Sequence, residues 1–156
     1  MFANILVPLD GSALSEGALA MAQHLARASA TTLHLLQVIA LPSELDVLRG
    51  SGGESVTVLE MARDAAQRLR DAQTARGQAY LAGLAGPLQQ AGLQVTTALR
   101  EGAADEQIVT YAQEHGIDLI VMSTHGHSGL KRFFLGSVTD RVIRAGQTPV
   151  LVVPAS

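Results

Sequence analysis

Apolar residues fall into two patterns along the chain, short continuous blocks and helical stripes, and the two alternate from end to end. The first block, Asn4 to Leu9 (NILVPL), stops at Asp10-Gly11-Ser12, as expected of a strand buried on both faces. Pro8 has no N–H to give to a ladder and belongs near the end of that strand. Ser12 is placed to cap a helix. Leu14, Ala18, Met21, Leu25 and Ala28 then recur at helical spacing as far as Ser29. Thr32 to Ile39 (TLHLLQVI) predicts a second strand.

Pro42, Gly50, Gly52 and Gly53 punctuate residues 41–55, which predicts a mobile loop. From Val56 to Gln90 the pattern is helical, with one stripe of Leu59, Ala62, Ala66 and Leu69 and another of Leu81, Leu84 and Leu88. Gly77, Gly83, Gly86 and Pro87 argue against one straight helix there. Leu93 to Leu99 predicts a third strand, Ala103 to His115 a third helix and Leu119 to Met122 a fourth strand. Val138 to Ala145 predicts a last helix stopped by Gly146, and Pro149 to Val153 a final strand. Strands that alternate with helical crossovers build a parallel sheet with helices on both faces, a Rossmann-like α/β fold. Ligands of such open sheets sit at the carboxyl ends of the strands, where strand order reverses. The ends in question are Leu9-Asp10, Val38-Ile39 and Met122-Ser123.

Composition narrows the classes. With 156 residues the chain is expected to be a single domain, 1–156, large enough to bury an aliphatic core. Only 3% of residues are aromatic against 47% hydrophobic overall. A net charge of −3 argues against a nucleic-acid or anionic-membrane partner. The absence of cysteine excludes disulfides and thiolate metal sites. No signal peptide or spanning segment is legible, so the expected location is the cytoplasm.

The candidate chemistry lies in the segment Ser123 to Ser137, STHGHSGLKRFFLGS. Gly126, Gly129 and Gly136 would let backbone N–H groups approach an anion closely. The last helix starts here, and Ser137-Val138-Thr139-Asp140 fits a capping box with Ser137 as the cap. Its free N–H groups and positive dipole end would face the same anion, with Mg²⁺ available to offset phosphate charge.

These features resemble the ATP-binding branch of the universal stress protein family. That branch carries G-x2-G-x9-G-[ST]. Here Ser123 stands at the first glycine, followed by Gly126, nine residues from His127 to Leu135, and Gly136-Ser137. ILVPLDGS at one end and TPVLVVP at the other resemble the family too. The resemblance implies a five-stranded parallel sheet of order 3-2-1-4-5. It also implies ATP as ligand: Pro8, Leu9 and Asp10 would meet the adenosine, with Asp10 on the ribose hydroxyls. Val38 would offer backbone hydrogen bonds to adenine and Met122 would pack beside it. Ser123, His125, Gly126 and His127 would line the phosphate loop, and Gly136, Ser137, Val138 and Thr139 would hold the phosphates. It further implies a homodimer formed through Val150 to Val153.

Other readings of single residues are weaker. Asp10 could be merely a turn residue before Gly11-Ser12. His125 and His127 lack a third ligand for zinc. His24, His34 and His115 fall on helices or strands and read as structural or exposed. Lys131 and Arg132 either reach phosphate or are simply solvated. Ser51 to Ser55 (SGGES) is similar to the phosphate loop of ATP pyrophosphatases, but follows the second strand rather than the first. No acid–base pair is legible, so the expectation is a nucleotide-dependent regulator or sensor of the stress response with at most slow ATP hydrolysis. The alternative is a dimeric interaction module of the same fold that binds no nucleotide, favoured by Ser123 in place of glycine.

Overall fold

The computed structural model describes residues 2–28, 30–40, 56–124 and 136–154. The segment 41–55, read above as a loop, lies outside the described residues, as do His125, Gly126, His127, Ser128, Gly129, Lys131 and Arg132.

Among the described residues nine elements follow in order: β1 (Asn4–Leu9), α1 (Ala13–Arg27), β2 (Thr32–Ile39), α2 (Val56–Gln90), β3 (Gln94–Glu101), α3 (Ala104–Glu114), β4 (Leu119–Ser123), α4 (Ser137–Ala145) and β5 (Val150–Val153). The strands form one sheet of order β3-β2-β1-β4-β5. All pairings are parallel, with Asn4 opposite Thr32, Ile5 opposite Leu119, Thr32 opposite Gln94 and Ser123 opposite Val153. This is the α/β fold and the strand order expected above.

Strand periodicity sends alternate side chains to opposite faces. Ile5, Val7 and Leu9 of β1 with Leu33 and Leu35 of β2 meet Ala18, Leu19, Ala22 and Ala26 of α1 and Leu81, Ala85 and Leu88 of α2. Leu6, Leu36, Ile120 and Met122 turn to the other face, against Ile108, Tyr111 and Ala112 of α3 and Val142 of α4. Burial on both faces explains why the central strands read as unbroken apolar runs.

Two expectations about helices need correction. Residues 56–90 form one helix despite the glycines and Pro87. Gly77 is there because α2 packs tightly: a Cβ would stand 2.7 Å from Leu99 Cδ1 and 3.0 Å from Gln37 Oε1. Pro87 removes one bond in the last turn, but the carbonyl it leaves without a partner belongs to exposed Gly83 and can turn to water. Ser137, in turn, does not cap α4. The N-cap is Gly136, with no side-chain cap bond, and Asp140 N donates to Gly136 O at 2.9 Å.

At 35 residues α2 is about 52 Å long. The eight-residue strands it covers span about 26 Å. Gly77 already meets Leu99 and Gln37 near the carboxyl ends of β3 and β2, and Arg70 pairs with Glu101 at 3.7 Å. The earlier turns therefore run past the sheet, where Met61 and Leu69 are exposed.

Candidate functional site

Strand order reverses between β1 and β4, and a cavity of about 270 Å³ opens at their carboxyl ends. Ten residues anticipated from sequence meet in its wall: Pro8, Leu9 and Asp10 from the end of β1, Val38 from β2, Met122 and Ser123 from β4, and Gly136, Ser137, Val138 and Thr139 from the start of α4. Sequence reasoning missed four others, Ser15, Leu36, Ala104 and Ile108. Ala104 and Ile108 are one helical turn apart on α3. Every crossover helix of a parallel sheet begins at this rim, so the first turn of α3 was the place to look.

The end of β1 is shaped by a local network. Gly11 takes φ +83°, a left-handed turn that glycine adopts without strain, and leads the chain from β1 into α1. Asp10 Oδ1 accepts from Ser12 N at 2.9 Å and from Ser12 Oγ at 2.5 Å. Ser12 is the N-cap of α1, and its Oγ accepts from Ser15 N at 3.2 Å. The buried Ser15 hydroxyl donates to Ser12 O at 2.9 Å and accepts from Asp10 N at 3.3 Å. One residue further on, Glu16 accepts from Tyr80 of α2 at 3.1 Å. Burial, reinforced by that carboxylate, pushes the Tyr80 phenol up to about 12, so it stays a donor at neutral pH.

The opposite lip is closed backbone to backbone. Gly136 N donates to Thr124 O at 2.6 Å, and Thr124 N to Val153 O at 3.1 Å. A Cβ on Gly136 would stand 2.9 Å from Thr124 O. Gly136 has φ −56°, so glycine is needed at this position for close approach and not for a left-handed turn. The buried Thr139 hydroxyl donates to Ser123 O at 3.2 Å, fastening the first turn of α4 to the end of β4. Ser123 is the last residue of β4, paired with Val153 in extended backbone. Serine at that motif position therefore brings no backbone strain.

Two chemical zones result. Pro8, Leu36, Val38, Ala104, Ile108 and Met122 make an aliphatic wall. Asp10, Ser123, Ser137 and the opening turn of α4 make a polar rim, where the first N–H groups of a helix lack partners within it. A flat apolar ring, a polyol and an anion joined in that order match these zones. Among the described lining residues Asp10 is the only ionisable side chain, and no cluster of metal-binding side chains occurs among the described residues.

Residues 1–154 match the pattern of the Universal stress protein family. The chain belongs to that family. The universal stress protein YxiE of Bacillus subtilis is 34% identical over 98% of this chain and 99% of its own. Universal stress protein MJ0577 of Methanocaldococcus jannaschii is 31% identical, covering 98% and 95%. Its solved structure superposes with a TM-score of 0.82 over 100% of this chain and 98% of that one, at 29% identity. A solved universal stress protein in complex with cAMP superposes with a TM-score of 0.59 at 25% identity, covering 99% and 98%. No helix among the described residues is long and apolar enough to cross a membrane.

Proposed function

We propose that this universal stress protein binds ATP at the β1–β4 cavity, as one nucleotide-binding domain spanning residues 1–156, and acts as a nucleotide-dependent regulator or sensor in the cytoplasm. The observation that carries this reading is the pairing of an aliphatic slot with Asp10 on one lip and the N-terminal turn of α4 on the other. The cAMP complex of a relative supports an adenine nucleotide as the ligand class.

In this reading adenine enters the slot between Val38 and Met122, with Leu36 and Ile108 beneath it. Asp10 receives the ribose hydroxyls beside Pro8 and Leu9. Gly136, Ser137, Val138 and Thr139 present backbone N–H groups to the phosphates, and Ser123 adds a hydroxyl at the mouth. The Thr139 side chain contributes by fastening α4 to β4, since its hydroxyl is given to Ser123 O. His125, Gly126 and His127 belong to the phosphate loop in this reading, and Mg²⁺ would offset the phosphate charge there. Asp10 faces the sugar rather than a γ-phosphate, so hydrolysis should be slow. The working unit is a homodimer joined through β5.

Calorimetric titration with ATP–Mg tests the reading. Saturable binding by the wild type and none by Gly136→Val is the expected result. A folded wild-type protein that takes up no adenine nucleotide refutes it.

A further inference from the structure

We infer that Ser12 is a positioning residue for the sugar: its hydroxyl holds the Asp10 carboxylate in the orientation that receives the ribose. The inference rests on the nucleotide reading above and deepens it.

A helix N-cap needs only an acceptor, because its side-chain oxygen takes an N–H from the first turn. Ser12 does this when its Oγ accepts from Ser15 N at 3.2 Å. The hydroxyl proton is left over, and it goes to Asp10 Oδ1 at 2.5 Å. Ser12 N approaches the same oxygen at 2.9 Å. Aspartate at position 12 would cap α1 equally well but would have no proton for Asp10. Serine or threonine can accept and donate from a single atom.

The network reaches further than one bond. Ser15 Oγ accepts from the backbone N of Asp10 at 3.3 Å and donates to Ser12 O at 2.9 Å. Asp10 is thus tied at its own amide and at its carboxylate. An exposed aspartate without such ties would sample several rotamers and lose that freedom only on binding. Ser12 imposes the constraint before the ligand arrives, which is preorganisation. These two bonds to Oδ1 come from a single residue, one from its backbone and one from its side chain.

Comparing ATP with 2′,3′-dideoxy-ATP, which has no ribose hydroxyls, separates this role from capping. Ser12→Ala should weaken ATP about tenfold, the effect of a hydrogen bond to a charged group, and dideoxy-ATP by less than about twofold. Ser12→Thr should restore ATP affinity. In an Asp10→Ala background, Ser12→Ala should cost ATP nothing further, since coupled residues are not additive. Ser12→Gly, a residue also favoured at N-caps, repeats the comparison if alanine unfolds the chain. Equal losses for both ligands, or an undiminished loss in the Asp10→Ala background, would overturn the inference and leave Ser12 as a helix cap. A wild type that binds neither ligand overturns the nucleotide reading and the inference with it. Wild-type ATP binding blocked by Gly136→Val, with Ser12→Ala silent, overturns the inference alone.

Discussion

Gly136 and His34 show what one position can impose. The nearest atom to a Cβ at 136 is a backbone oxygen, Thr124 O, which cannot swing aside. Gly136→Ala should therefore open the lip and weaken ATP at least about tenfold, while the denaturation midpoint falls by about 1–3 kcal/mol equivalent at most. Paired calorimetry and urea titration measure both. His34 is buried at mid-sheet, away from the cavity. Asn4 Nδ2 donates to Gly116 O at 3.4 Å, which leaves Asn4 Oδ1 to accept from His34 Nε2 at 3.3 Å. The hydroxyls of Tyr111 at 3.0 Å and Thr96 at 3.1 Å then stand at His34 Nδ1, whose single lone pair accepts from one of them. The neutral ring is fully satisfied. Burial first, and the nearby His115 second, lower its pKa from 6.5. Arg100, stacked on the Tyr111 ring and paired with Glu114, completes the charged surroundings. With the folded-state value depressed, the unfolded chain binds more protons below pH 6.5, so the His34 contribution to stability falls as pH drops through that window and is constant above it. Urea midpoints at about pH 7.5 and about pH 5.5 should differ more for the wild type than for His34→Gln.

At the scale of elements, α2 offers an internal comparison. Gly83 has nothing within 4 Å of a notional Cβ, so Gly83→Ala should stabilise by about 0.5–1 kcal/mol. At Gly77, where both Leu99 methyls and Gln37 are in the way, Gly77→Val should cost about 1–3 kcal/mol. Chemical denaturation of the two variants decides the matter. The sequence cannot tell these glycines apart, because lack of a side chain looks the same whether space is absent or plentiful. The strands were legible for the opposite reason: Ile5, Leu6 and Val7 are each wholly buried, and no other element needs three consecutive apolar residues so short of helix length. The polar lip at Asp10 and the start of α4 was legible through its turn chemistry. The aliphatic wall was not, since Leu36 and Ile108 carry the same signal whether they face core or cavity. Ser137 misled for a related reason: a serine before a helical stripe reads as a cap, while here the backbone of Gly136 serves.

Across the whole molecule the two sheet edges differ. β3 carries Gln94, Thr96, Thr97, Arg100 and Glu101, a polar border of the kind that discourages pairing. β5 is Val150-Leu151-Val152-Val153, half-buried throughout. Sedimentation should find a dimer in the wild type and a monomer in Val152→Lys, if that apolar border is where two copies meet. The lip between Thr124 and Gly136 has a separate consequence. Thr124 and Gly136, with eleven residues of sequence between them, are joined by one backbone bond of 2.6 Å. Closing a chain segment over so short a gap costs only about 0.6 kcal/mol more for each doubling of its length. The number of residues between these two points therefore enters the folding free energy only weakly through closure entropy. Between these two points a change of length is cheap in closure entropy, so selection there can act on ligand preference rather than on the fold.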